Sequence, residues 1–298
     1  MYIKSKTILI FLISYLLLVS CASNDDEGIS GTGFNIIGIA EKGPFVKNSE
    51  VTVRPLSAVG EIYGDSIKTI TTDDLGNFQL NLSVEGPILI SINGNHYNEI
   101  SGEVSENKLL LNAVYAISAE EQQVASVNVL THVVRQRITS LMGLGVLVED
   151  AIDQAQQEFV SSMNGVLRGD DLPDFSLLSV YDIHKEYSNG NSYLLAFSSI
   201  VNQYSLDRSM ENETDAESEI LLLLNALSED LEDDGDIDNQ VILDDLNVAK
   251  QRLSPSEIEQ NLKSYSFEVT GEELDVPTLS AVLVIVTSIL LNKTESVP

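Results

Sequence analysis

The sequence predicts a multidomain α+β protein, an N-terminal all-β sandwich followed by an all-α helical domain, and three observations lead to it. Apolar and β-branched residues recur at every second position in short runs from residue 34 to about residue 117, with Gly, Asp, Asn and Pro between the runs. Near Ser126 the apolar period lengthens to about three and a half, as in amphipathic helices. The 298 residues, 43% hydrophobic and 21% charged, suffice for two domains of ordinary size and are too apolar for a wholly disordered chain. The expected segments are 1–20, 21–33, 34–118, 119–265 and 266–298.

Residues 1–20 read as an address. Lys4 and Lys6 make a basic start, Thr7 to Leu18 form an apolar run of 12 residues, and Leu18-Val19-Ser20-Cys21 follows. At about 1.5 Å per residue the run reaches roughly 18 Å as a helix, short of the roughly 30 Å hydrocarbon core, which favours a secretion signal over a permanent span. The single cysteine excludes an intrachain disulfide. A plain signal peptide with an accidental cysteine is the bland alternative. The four residues from Leu18 to Cys21 resemble the lipobox of bacterial lipoproteins. That resemblance implies cleavage between Ser20 and Cys21, a diacylglycerol thioether on Cys21, and acylation of the new amino terminus by palmitate or a similar acid. One acyl chain holds a protein only marginally, whereas two or three give stable residence on a bilayer. Cys21 is then an anchor and not a nucleophile.

Residues 21–33 read as a flexible acidic tether, polar and glycine-rich. Loss of residues 1–20 removes Lys4 and Lys6 and no acid, leaving 14 Lys and Arg against 46 Asp and Glu, so the formal charge moves from −30 to −32. An anionic leaflet repels such a body, which should stand off the membrane. Acids soon after the cysteine, Asp25-Asp26-Glu27, also resemble the surface-export signal of Bacteroidota lipoproteins, which implies the outer membrane and an outward-facing protein. No stretch concentrates Lys and Arg, so nucleic acid is excluded as a partner.

The expected strands are Phe34–Ala40, Glu50–Pro55, Lys68–Thr72, Gly76–Leu82, Pro87–Asn93 and Leu109–Ile117. Alternation in the fourth puts Phe78, Leu80 and Leu82 on one face, which a second sheet must cover, and Gln79 and Asn81 on the other. Asp73-Asp74-Leu75-Gly76-Asn77 reads as a turn with glycine at positive φ. The series Gly38-Ile39-Ala40-Glu41-Lys42-Gly43-Pro44-Phe45-Val46, then Val51-Thr52-Val53, then Thr72-Asp73-Asp74-Leu75-Gly76-Asn77-Phe78 resembles the carboxypeptidase-regulatory-like domain. The resemblance implies a transthyretin-type sandwich that works as a scaffold, adhesive or docking module. Fold alone does not settle function.

In the second half, Val127, Leu130, Val134, Ile138 and Leu141 share one helical face. Val148, Ile152, Ala155, Phe159 and Met163 share another, and the Gly143/Gly145 break separates the two into a helical hairpin. Further helices are expected over Asn191–Tyr204, Ala216–Glu229, Val241–Gln251 and Pro255–Tyr265, the last with Ser254 as N-cap and Glu257 placed for a capping box. Val127-Asn128-Val129-Leu130-Thr131-His132 resembles the start of the helical part in a set of Bacteroidota lipoproteins that carry a sandwich first, a resemblance that implies architecture and no activity.

The sharpest chemical pattern runs from Asp230 to Asp238. Asp230, Glu232, Asp234, Asp236 and Asp238 have the spacing of calcium ligands in an EF-hand loop, with Gly235 at the sixth position. The twelfth position is Val241, where a bidentate glutamate belongs, and an acidic helix connection is the competing reading. His96, His132 and His184 have no ligand partner at diagnostic spacing, and His132 reads as a packing or capping residue. Motifs of the zinc-protease, serine-hydrolase, P-loop and dinucleotide-binding kinds are absent. Val276 to Leu291 is an aliphatic segment of 16 residues, read as a buried strand or core helix, with a partner surface or a membrane-associated end as alternatives.

Together these point to a lipid-anchored surface protein with a binding or structural role, with surface proteins or glycans as partners and no assigned catalytic residue. A hydrolase acting on glycans through an unassigned carboxylate pair is the alternative, since 46 acids supply many pairs.

Overall fold

The computed structural model describes residues 34–83, 85–118 and 122–283. Ser20, Cys21 and the expected tether lie outside these residues, as do residues 284–298. Alternating patterns become the strands β1 (Phe34–Glu41), β2 (Glu50–Pro55), β3 (Ile67–Ile70), β4 (Asn77–Leu82), β5 (Gly86–Gly94), β6 (Tyr97–Asn98), β7 (Glu103–Val104), β8 (Leu109–Ile117), β9 (Gln122–Val124) and β10 (Val127–Asn128). The helices are α1 (Val129–Gly143), α2 (Val148–Ser162), α3 (Ser188–Asn212), α4 (Ala216–Asp234), α5 (Gln240–Gln251) and α6 (Pro255–Thr270). The class is α+β, with strands mainly in the N-terminal part and helices in the C-terminal part.

One sheet runs β3-β2-β5-β8, antiparallel throughout. In the other, β1 lies between β4, paired antiparallel, and β9 and β10, both paired parallel. In β4 the side chains of Phe78, Leu80 and Leu82 are buried while Gln79 and Asn81 face water, as the alternation demands. Gly38 has to be glycine, because a Cβ there would lie 2.1 Å from the Phe78 ring. The turn before β4 forms as expected: Asp73 Oδ1 accepts from the backbone N–H of Leu75 and Asn77 at 3.0 and 3.1 Å, and Gly76 has φ +82°.

Three sequence expectations need correction. The third strand ends at Ile70 and not at Thr72, because Thr71 Oγ1 donates to the Val46 carbonyl at 2.7 Å and accepts from the Ser49 N–H at 2.9 Å, which takes the chain out of the ladder. The capping box at Ser254 and Glu257 does not form, since the Ser254 side chain makes no cap bond. A capping box forms instead at Asn128, whose Oδ1 accepts from the N–H of Leu130 and Thr131 while Thr131 Oγ1 accepts from the Asn128 N–H. The division expected after residue 118 falls ahead of β9 and β10, which complete the sheet around β1 through the pairs Ala40–Val127 and Glu41–Asn128. Strands and helices accordingly share one compact unit.

Helix α3 explains how they do so. Tyr193 to Asn202 are all buried, a helix apolar enough on every side to run through the middle. Phe197 meets Phe159 of α2 edge-to-face at 5.3 Å, and Phe159 meets Phe175 the same way at 6.0 Å. In the expected aliphatic segment, Leu279 and Val282 are buried around a single 3-10 turn, Leu279–Ala281. The chain then touches the loop after α2, where Arg168 N–H donates to the Val282 carbonyl at 3.1 Å. Neither a long helix nor a strand forms up to residue 283, and the remainder of that segment lies outside the described residues. Among the described residues no helix is long and apolar enough to cross a membrane.

Candidate functional site

The residues expected to bind calcium are placed at a helix end. Asp230, Glu232 and Asp234 sit in the last turns of α4, which continues past Glu229 because Leu227 and Leu231 are buried. Three of the five carboxylates, those of Asp230, Asp234 and Asp236, bond the chain itself. Asp230 Oδ2 accepts from the N–H of Asp238 and Asn239, both at 3.1 Å, and Asp234 Oδ1 accepts from the Asp236 N–H at 3.0 Å. Asp236 Oδ1 accepts from Ser162 Oγ at 2.7 Å. Gly235 ends the helix at φ +88°, and a Cβ there would strike the Glu158 carboxyl at 2.5 Å. Glu158 in turn is held by Arg137 Nε at 2.7 Å, while Arg137 Nη1 donates to the Glu232 carbonyl at 3.1 Å. The EF-hand geometry is therefore not formed, and no group of three His, Cys, Asp or Glu among the described residues is arranged to hold a metal ion.

Two of the histidines are buried. His132 Nδ1 accepts from the Asn112 N–H of β8 at 3.1 Å, so α1 caps a strand edge, and Arg135 Nη2 and His132 Nε2 meet the same Asn225 Oδ1. Burial, then the Arg135 charge, push the His132 imidazole down to about 3, which keeps it a neutral acceptor. The packing role read from sequence holds. His96 is fully buried with neither ring nitrogen bonded among the described residues.

Other buried charges were invisible in the sequence because their partners lie far along the chain. Lys42 Nζ donates to Glu99 Oε1 and Oε2 at 3.0 and 3.1 Å, with both side chains wholly inaccessible. Ser198 Oγ of α3 lies 2.9 Å from Glu99 Oε1 and against the Lys42 carbonyl. Glu41, the last residue of β1, accepts from Ser179 Oγ and the Val180 N–H, each at 3.0 Å. Burial pushes its carboxyl up to about 8, against the pull of those two bonds.

The open concavity lies beside α2. That helix buries Ile152, Ala155 and Phe159, which turns Asp153, Gln156, Gln157 and Val160 together towards the loop of residues 171–177. Two hollows of about 480 Å³ each meet there and share Asp153 and Asp174. Asp174 is fixed by its cap: its Oδ1 accepts from the Ser176 N–H at 2.8 Å and from Gln156 Nε2 at 3.3 Å. Glu149 and Asp171 add two further exposed carboxylates, and among the described residues no lysine, arginine or histidine lines either hollow. Among the described residues none of these four acids joins an ion pair. The sequence showed the acids of this groove only as part of a general excess.

Such a groove offers acceptors and a negative field to a ligand rich in donors. Glu41, whose carboxyl is raised to about 8, is sealed in the interior and does not line the groove, and neither does Glu217, which burial also raises. Comparison with known proteins adds no relative: no protein-family model, no curated protein and no solved structure matches the chain.

Proposed function

We propose that this is a lipid-anchored extracytoplasmic protein of a bacterial outer membrane, facing the cell surface, whose folded body acts as a binding module. The observation that carries the reading is Leu18-Val19-Ser20-Cys21 at the end of a basic, then apolar, start. The two N-terminal sheets are read as the transthyretin-like sandwich that the Gly38–Val46 and Thr72–Phe78 stretches resemble. An anchor of two or three acyl chains with a formal −32 behind it holds the body at the bilayer and away from its surface. Cys21→Ala is expected to move the protein from the membrane fraction to the soluble fraction on cell fractionation. Retention of the variant in the membrane would overturn the anchor.

Binding is favoured over hydrolysis because the groove beside α2 has acceptors and, among the described residues, no cation, while the raised carboxyl of Glu41 is sealed away from it. The ligand class is a donor-rich, positively charged segment of a surface protein. With the full chain, a lysine-rich peptide followed by calorimetry is expected to bind at least about tenfold more weakly to Asp153→Asn/Asp174→Asn, a loss of about 1.4 kcal/mol. Neutralising Glu257 and Glu268 on α6 should change little. Equal losses in both variants would reduce the groove to general charge attraction.

A further inference from the structure

We propose that the hairpin carrying β6 and β7 is an acid-released clasp between the strands and helices α3 and α6, with His96 as its proton acceptor. The hairpin is the main tie across this part of the molecule. Tyr97 stacks on Tyr265 of α6 with ring centroids 3.9 Å apart, and its hydroxyl donates to the Asn261 carbonyl at 3.0 Å. Asn261 Nδ2 reaches back to the carbonyls of Glu99 and Ile100 at 3.1 and 3.2 Å. Asn98 and Asn202 of α3 exchange amide bonds, and Glu99 holds Lys42.

At the root of this clasp lies His96, held by backbone alone. Its N–H donates to Ser105 Oγ at 3.0 Å and its carbonyl accepts from the Ser105 N–H at 2.8 Å, while its ring faces Phe45 at 5.9 Å. Both ring nitrogens are buried without a partner among the described residues, a costly arrangement for a polar group and a far costlier one for an imidazolium. The charge beside it is Lys42 from the turn after β1, which is itself faced by Glu99 from the hairpin and by Glu217 from the first turn of α4. From α3 the hairpin meets the neutral Ser198 and Asn202, and from α6 it meets Asn261 and Tyr265, with the Glu268 carboxylate acting on Tyr97. Lys42 is the charge that acts on the ring, and it repels a proton; Glu99, the nearby anion, is already held by Lys42. Burial and Lys42 together hold the imidazole well below its ordinary range while the clasp is closed.

The sign follows directly. A base whose value is depressed only in the closed form binds its proton when the clasp opens, so acid favours opening. Below about 6.5, the value of a solvated histidine, the open fraction rises about tenfold per pH unit. Glu217, raised by burial, acts in the opposite sense, so Glu217→Gln is placed in both backgrounds.

The experiment is hydrogen exchange of the full chain at pH 7.5, 6.5, 5.5 and 4.5, corrected for intrinsic rates. Protection of residues 97–105 is expected to fall about tenfold per unit below about pH 6.5, and His96→Leu should abolish that dependence. Should His96→Leu not fold, the ring resonances of the parent protein decide the matter, since the closed form must keep the imidazole neutral well below 6.5. Protection that ignores pH, the same fall in His96→Leu, or a ring that titrates at its ordinary value in the closed form would each overturn the proposal.

Discussion

Lys42→Met is expected to lower the free energy of unfolding by about 3–5 kcal/mol, read as a fall in the urea midpoint. Methionine keeps the unbranched stem of the lysine, so the loss is not one of packing. What remains is the Glu99 carboxylate, fully buried, with Ser198 as its remaining side-chain partner. Breaking a buried pair from one side strands a charge, whereas replacing both partners does not. The double variant Lys42→Met/Glu99→Leu is therefore expected to recover most of the loss. A double variant as weak as the single one would show that the ammonium and carboxylate do not act as a unit.

Glu41→Gln is expected to make the protein less sensitive to alkali. In the folded chain this carboxyl is raised to about 8 by burial, from an ordinary value of 4.5. Protonated, it keeps its bonds to Ser179 and Val180; ionised, it is a charge in the interior. The stabilising contribution of the neutral acid is complete below about 4.5 and is lost as pH rises to about 8. At about 1.4 kcal/mol per unit, the full loss is on the order of 3–5 kcal/mol. Glutamine retains an acceptor for the Val180 N–H and does not titrate. Measured at pH 5 and pH 8, parent and variant should diverge with pH, the variant being the more stable at pH 8. Parallel curves would mean that the carboxyl is wet or already ionised.

The elements legible in the sequence are those whose burial is one-sided and continuous. Glu50–Pro55 and Leu109–Ile117 run from end to end as expected, and Leu130, Val134, Ile138 and Leu141 of α1 and Ile152, Ala155 and Phe159 of α2 are buried as their spacing marked, whereas Val127 falls in β10, ahead of the Asn128 N-cap. Helices α3, α4 and α6 run longer than expected, because their polar end turns carry no apolar period and are held by caps such as Gly235 and Gly271. β9 and β10, of three and two residues, are too short to show any period, and their partner lies more than eighty residues earlier. The acidic run from Asp230 was legible only as a spacing, because oxygen atoms at alternate positions suit a helix end, where Asp230 and Asp234 bond the backbone, as well as a cation. Lys42 and Glu41 carried no sign of burial in the sequence, because Glu99, Ser179 and Val180, which hold them, lie far along the chain.

The parallel attachment of β10 to β1 bears on the order in which the growing chain can complete its sheets. Strands β1 to β8 can have collapsed while one flank of β1 still has its backbone groups bare, because Gln122 to Asn128 have not arrived. Until they do, Tyr115 also lacks the Ser126 carbonyl that its hydroxyl reaches. A chain in that interval presents a naked strand edge beside the unpaired Tyr115, a template for sticking to its neighbours until the first helix docks.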